Sequence, residues 1–178
     1  MSAHSGQILA FWLLPAEPAQ THFQNVIREL AARFDAPVFK PHLTFYVTTP
    51  QNEDANDLLR RALAGAKPFR LLIESVRHSE AFTKSLFIQF TQDSALNELA
   101  MTFQAFSESH REYNVNPHLS LIYKTMLAET KASLAASIRF PFDEVLFDAA
   151  QGVVSPAPVI SREHVEAWTA VASQRIAG

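Results

Sequence analysis

Pro41-His42-Leu43-Thr44-Phe45 and, 76 residues later, Pro117-His118-Leu119-Ser120-Leu121 are the two stretches on which the reading of this chain turns. Each runs proline, histidine, apolar, hydroxyl, apolar. Each opens a β-rich run, HLTFYVTT in one case and HLSLIY in the other, so each predicts a strand. By composition, roughly 0.2 copies of histidine-apolar-hydroxyl-apolar are expected by chance. Two copies, both behind a proline, therefore form an internal repeat. His22, His78, His110 and His164 do not match it.

Strand geometry gives the repeat chemical content. Side chains at i and i+2 share one face of a strand. His42 should point the same way as Thr44, and His118 the same way as Ser120, while Leu43, Phe45, Leu119 and Leu121 turn toward a core. If the two strands lie near each other, two imidazoles and two hydroxyls line one groove. A neutral imidazole takes a proton from an attacking water, a protonated one gives a proton to a leaving alkoxide, and with an ordinary pKa near ~6.5 histidine serves in either state. Hydroxyls donate to non-bridging phosphate oxygens. Such a groove suits hydrolysis of a phosphodiester. A single copy would read as an ordinary strand with a half-buried histidine.

Outward from the repeat, the 178 residues suit one domain of two small lobes. Almost half are hydrophobic and 14 are Phe, so a packed core is expected. Strands are predicted over Gln7–Leu14, Phe69–Val76, Ser85–Phe90, Val145–Val154 and His164–Ile176, with Ser155–Pro158 as a loop between the last two. Helices are predicted over Ala19–Phe34 with Thr21 as a cap, over Glu53–Ala64, over Ser94–His110 with Leu96, Leu99, Phe103 and Phe106 on one face, and over Ala128–Ser137. Several strands follow one another directly, which favours α+β with antiparallel pairing over a doubly wound parallel sheet.

The same composition narrows the chemistry. There is no Cys, which removes disulfides, thiolate metal sites and cysteine nucleophiles. Only four Gly are present, and neither a phosphate loop, a dinucleotide fingerprint, an HExxH zinc motif nor a G-x-S-x-G elbow occurs. No cofactor or metal is expected. A net charge of -3 gives no global basic field for a long nucleic acid. The apolar run Ile8–Leu14 is too short to span a bilayer and has no basic flank or cleavage site. A soluble, cytoplasmic monomer acting on a small ligand is the expectation.

At its two motifs the chain resembles the 2H phosphoesterase superfamily, and more narrowly the cyclic phosphodiesterases that open 2',3'-cyclic nucleotides and ADP-ribose 1'',2''-cyclic phosphate. The opening FWLLP, the stretch FDAPVFKPHLTF, the second motif NPHLSLIY and the ending EAWTAVASQRI are each similar to the family's corresponding segments. The resemblance implies a bilobal α+β fold, with two mainly antiparallel sheets facing a central cleft and helices outside. It places the catalytic pair on His42 and His118 and the phosphate-binding hydroxyls on Thr44 and Ser120. Tyr123 would contact the phosphate or bound water, although period two puts it opposite His118, so a bend or bulge after Leu121 is needed. Trp12 and Phe82 would stack on a base or line the cleft. Tyr46, where the family often has a small apolar residue nearby, should face the cleft with His42 and Thr44. Lys84 and Lys40 would help neutralise phosphate.

The implied reaction is metal-independent, in-line attack of water on a small cyclic phosphate. His118 is assigned the base and His42 the acid, giving a 2'-phosphate from a 2',3'-cyclic nucleotide; the near-symmetry of the motifs leaves the reverse open. Processing of RNA 2',3'-cyclic phosphate ends, as in 2'-5' RNA ligase-like members, is the alternative within the superfamily. A catalytically silent nucleotide-binding module is the alternative outside catalysis.

Overall fold

The computed structural model describes residues 6–177. Its elements in chain order are β1 (Gly6–Pro15), α1 (Ala19–Phe34), β2 (Leu43–Thr48), α2 (Ala55–Ala62), β3 (Phe69–His78), a 3-10 turn (Phe82–Lys84), β4 (Leu86–Phe90), α3 (Ser94–Phe106), β5 (His118–Ile122), α4 (Ala128–Ser137), β6 (Glu144–Ala157), α5 (Arg162–Glu166) and β7 (Thr169–Arg175). Local chemistry fixes several boundaries. Asp54 and Asp93 accept from the backbone N–H groups of Asp57 and Leu96, capping α2 and α3, and Ser161 does the same for α5 through His164. Asp35, in the left-handed region at φ 52°, closes α1.

Every strand pair is antiparallel, in the order β2-β1-β6-β3-β4-β5, with β7 pairing β6 as a branch. The two expected sheets are thus hydrogen-bonded into one. A pseudo-two-fold axis runs between β3 and β6, where Phe69 faces Phe147 and Leu72 faces Glu144. Across it β1 pairs β2 as β4 pairs β5, and β1 pairs β6 as β4 pairs β3. Each half therefore runs strand, helix, motif strand. The halves interlock, since α1 packs against β5 and α3 against β2. Each linking helix supports the other half's motif strand, which fixes the distance between the motifs through the core.

That core lies between the sheet and the helices. Phe11, Phe45, Tyr46 and Phe103 are fully buried in it, with Phe103 centred 5.0 Å from Phe11 and 4.8 Å from Phe45. Burying aromatic rings of this size dominates the driving force for closing the lobes.

Several local expectations are corrected. Ser155 and Pro156 belong to β6, not to a loop; β7 begins at Thr169, opposite Val154, so Pro156 sits where one strand edge is unpaired. The expected strand His164–Ile176 is instead a short helix followed by β7. Helix α3 stops at Phe106, which stands exposed instead of joining the apolar face. Thr21 is not the cap of α1; its N–H and hydroxyl both donate to the Glu17 carboxylate (3.1 and 2.8 Å), which fills that role. Among the described residues, no helix is long and apolar enough to cross a membrane.

Candidate active site

Both motif strands are outer strands of the sheet, and both turn their histidine and hydroxyl into one cavity of about 260 Å³. Its walls include His42, Thr44, His118, Ser120, Tyr123 and Trp12, together with Trp168. The repeat seen in the sequence is therefore a repeat in space.

A matched pair of β-bulges shapes the cavity. Along β2, Thr44 faces Trp12 but Tyr46 faces Phe11, so Phe45 is an extra residue. Along β5, Ser120 faces Phe87 but Ile122 faces Leu86, so Leu121 is the extra residue. A bulge resets the alternation of side chains. After it, Phe45 and Tyr46 both enter the core, as do Leu121 and Ile122, and the next residues, Val47 and Tyr123, return to the cavity. Of the bend or bulge needed there, the structure has a bulge at Leu121 itself, and it carries Tyr123 to the cavity. The same device overturns the expectation for Tyr46. Its ring is fully buried against Phe11 and Phe103, and its hydroxyl donates to the Arg111 carbonyl at 2.8 Å.

The histidines are held alike. Nδ1–H of His42 donates to the Lys40 carbonyl at 2.7 Å, and Nδ1–H of His118 to the Asn116 carbonyl at 2.8 Å. A carbonyl only accepts, so each ring has its proton on Nδ1 and leaves Nε2 for the cavity. Burial pushes His42 down to about 4, opposed by the Lys40 carbonyl and reinforced by the charge of His118. Burial likewise lowers His118, with the Asn116 carbonyl opposing and Lys84 reinforcing. The cavity thus holds two neutral imidazoles at neutral pH.

The hydroxyls differ. Ser120 Oγ donates to the Thr83 carbonyl at 2.8 Å, so its proton is engaged and its lone pairs are left for a donor. Thr44 Oγ1 has no hydrogen-bond partner among the described residues and is the hydroxyl available to donate. Burial raises Tyr123 to about 12, with the Ser120 hydroxyl opposing, so the phenol stays a neutral donor.

Trp12 lines the cavity, but one face is covered by His42, with ring centroids 3.6 Å apart and planes 15° from parallel. That face cannot stack on a base. Phe82 packs beside Tyr123 at 6.1 Å and does not line the cavity. Lys84 also lies outside it, with Nζ 4.8 Å from the centre of the Phe87 ring, and Phe87 in turn meets His118 edge-on at 5.7 Å. Lys40 is partly buried; its carbonyl holds His42, and burial lowers its amine.

Trp168 was not foreseen. It meets His42, Trp12 and Tyr123 edge-on at 5.2 to 5.4 Å, and its Nε1–H donates to Ser155 Oγ at 2.9 Å. Phe39 meets Tyr123 at 4.5 Å behind the same wall. The chain has only two Trp, and both meet at this site. That scarcity was the available signal, but nothing local in sequence joins Trp168 to Trp12. No group of three or more metal-ligating side chains occurs among the described residues.

The chain matches the family model described as cyclic phosphodiesterase-like protein over residues 8–175. No curated protein matches it. Among solved structures it is similar to LigT from E. coli complexed with 3'-AMP (15% identity, TM-score 0.52, 97% of this chain and 99% of that chain). It is also similar to the same protein complexed with ATP (15% identity, TM-score 0.55, 98% and 99%). A further similar structure is described as a phosphoesterase (16% identity, TM-score 0.56, 97% and 99%). These likenesses establish the α+β fold with its large antiparallel sheet.

Proposed function

From the premise that the chain belongs to the cyclic phosphodiesterase-like family of 2H phosphoesterases, we propose that it hydrolyses small cyclic phosphates using His42 and His118 as its acid–base pair. The observation that carries this reading is the twinned Nδ1–H bond to the carbonyl two residues upstream, which presents two equivalent Nε2 atoms to one cavity. Water attacks phosphorus while one Nε2 takes its proton. The P–O bond to the leaving ribose oxygen breaks, and that oxygen takes a proton from the other Nε2. A 2',3'-cyclic nucleotide then yields the 2'-phosphate.

His118 is the base and His42 the acid. The flat stack on the indole of Trp12 stabilises an imidazolium at His42, whereas the charge of Lys84 disfavours one at His118. Burial opposes the charge at His42, and an anionic phosphate bound between the rings favours it. Thr44 and Tyr123 donate to the non-bridging oxygens, and Ser120, whose own proton is held by the Thr83 carbonyl, lines the wall beside them. Both proton transfers are supplied by the protein, so the reaction needs no metal.

The test is product analysis by phosphorus NMR after incubation with 2',3'-cyclic nucleotides and ADP-ribose 1'',2''-cyclic phosphate in EDTA. Conversion to 2'-phosphates and the 1''-phosphate is expected. Failure to open any member of the panel, or turnover that appears only on adding a divalent metal, rejects the reading.

A further inference from the structure

Trp168 stands beside the stacked pair of His42 and Trp12, not on it. Its centroid is 5.4 Å from His42 and 5.2 Å from Trp12, which are themselves 3.6 Å apart, and its plane is 89° and 76° from theirs. A ring above or below the stack would be much nearer one member than the other. The near-equal distances put the indole against the edges of both rings, where it stops them from sliding over each other. Tyr123 lies 5.3 Å away, also edge-on at 84°. One side chain thus meets the histidine of the first motif and the phenol that follows the second.

The indole is itself held. Its Nε1–H donates to Ser155 Oγ at 2.9 Å, and Ser155 Oγ–H donates to the Pro156 carbonyl at 2.8 Å, so the hydroxyl is committed as acceptor and as donor. Ser155 is 3% exposed and lies on β6 where that strand still pairs with Ile8 of β1. The backbone N–H of Trp168 donates to the Val165 carbonyl at 3.2 Å. Helix α5 is tied to the end of α1 by Arg162, whose Nη2 donates to the Asp35 carbonyl and carboxylate, both at 2.8 Å. Among the described residues nothing equivalent surrounds the second motif. β7 is the one strand that departs from the pseudo-two-fold order, and the one ring that meets His118 is Phe87.

We propose that Ser155 and Trp168 form a positioning unit for the general acid: Ser155 fixes the indole, and the indole keeps His42 flat on Trp12 and at a set distance from Tyr123. This rests on the reading of the cavity as a cyclic phosphodiesterase site with His42 as acid. Proton delivery is a matter of geometry. The departing oxygen takes its proton efficiently only when Nε2 of His42 is in line with it while Tyr123 holds a non-bridging oxygen of the same phosphate. An imidazole that slides on Trp12 keeps its Nδ1–H bond to the Lys40 carbonyl but turns Nε2 off that line. The unit also gives the two histidines unequal roles despite their matching backbone clamps, because only the first motif has an edge stop.

The test is steady-state hydrolysis of a 2',3'-cyclic nucleotide by Trp168→Phe, Ser155→Ala and the double variant. Trp168→Phe should lower kcat about tenfold, with KM within about twofold of wild type. Ser155→Ala should lower kcat by less, because the indole stays. The double variant should be no slower than Trp168→Phe alone, since Ser155 acts only through the indole. A kcat for Trp168→Phe within about twofold of wild type overturns the unit, as does a double variant as slow as the product of the two single losses. Ser155→Ala removes one oxygen and leaves the aromatic packing in place, so it decides the matter if Trp168→Phe does not fold. In its kcat–pH profile the alkaline limb, which reports the protonated acid, should move to lower pH while the acid limb, which reports the base, stays; any other pattern overturns the unit. Wild-type protein that opens no cyclic phosphate fells the underlying reading and this proposal with it, whereas an active wild type with unaltered variants fells the positioning unit alone.

Discussion

Trp12 lies flat on His42, with centroids 3.6 Å apart and planes 15° from parallel, whereas its pseudo-symmetric counterpart Phe87 meets His118 edge-on at 5.7 Å. The two imidazoles share a backbone clamp but not an aromatic environment. A face-on indole favours an imidazolium, by about 0.5–2 kcal/mol. Replacing Trp12 with Leu should therefore lower the pKa of the general acid in the kcat–pH profile, and kcat above pH 7 should fall more than KM changes. A profile that keeps its alkaline limb would reject the role given to the stack.

Removing either imidazole should remove one proton transfer. His42→Ala and His118→Ala should each lower kcat about 10²–10⁴-fold, with the folded state retained by circular dichroism. Wild-type turnover in either variant would end the acid–base assignment.

Burial lowers both histidines in the free protein, His42 to about 4. One must be charged and the other neutral, so kcat/KM should trace a bell lying on the acid side of 6.5, reporting two macroscopic values. The bound phosphate anion raises both, so the bell in kcat should sit at higher pH. Coincident bells in the two parameters would show that the bound anion does not retune the pair.

The same shift acts on stability. Unfolded His42 binds its proton near 6.5, the folded protein only near 4, so the unfolded chain holds more protons between those values. Stability is complete above pH 6.5 and declines as pH falls toward 4, by about 3 kcal/mol from this residue. Urea unfolding of the wild type and His42→Gln at pH 7 and pH 4.5 should show a smaller difference between the two pH values in the variant.

Tyr46 provides a control for the bulge. Its hydroxyl serves only the Arg111 carbonyl, so Tyr46→Phe should cost about 1 kcal/mol of stability and leave the kinetics of cyclic phosphate opening unchanged. A raised KM would place the phenol in the cavity after all.

Much of this protein was legible in one dimension because its determinants are local. Alternation within HLTFYVTT and HLSLIY sets which side chains face away from the core up to Thr44 and Ser120, and a proline before each motif marks where each strand begins. Strand direction followed from elements succeeding one another with short connections. Tyr123 was placed by the family resemblance, against an alternation that put it on the opposite face. Tyr46 was misplaced because the matching bulge at Phe45 carries no turn residue or glycine to announce it; it arises where β2 pairs with β1, a contact between residues more than thirty positions apart. Trp168 entered the site for the same reason, since only the pairing of β7 with β6 brings it to Trp12 and His42. Which groups are candidates for the chemistry was written in side-chain identity and spacing. How far burial shifts them, which faces are covered, and what stands beside His42 depend on desolvation and on long-range strand pairing, and these exist only in the folded chain.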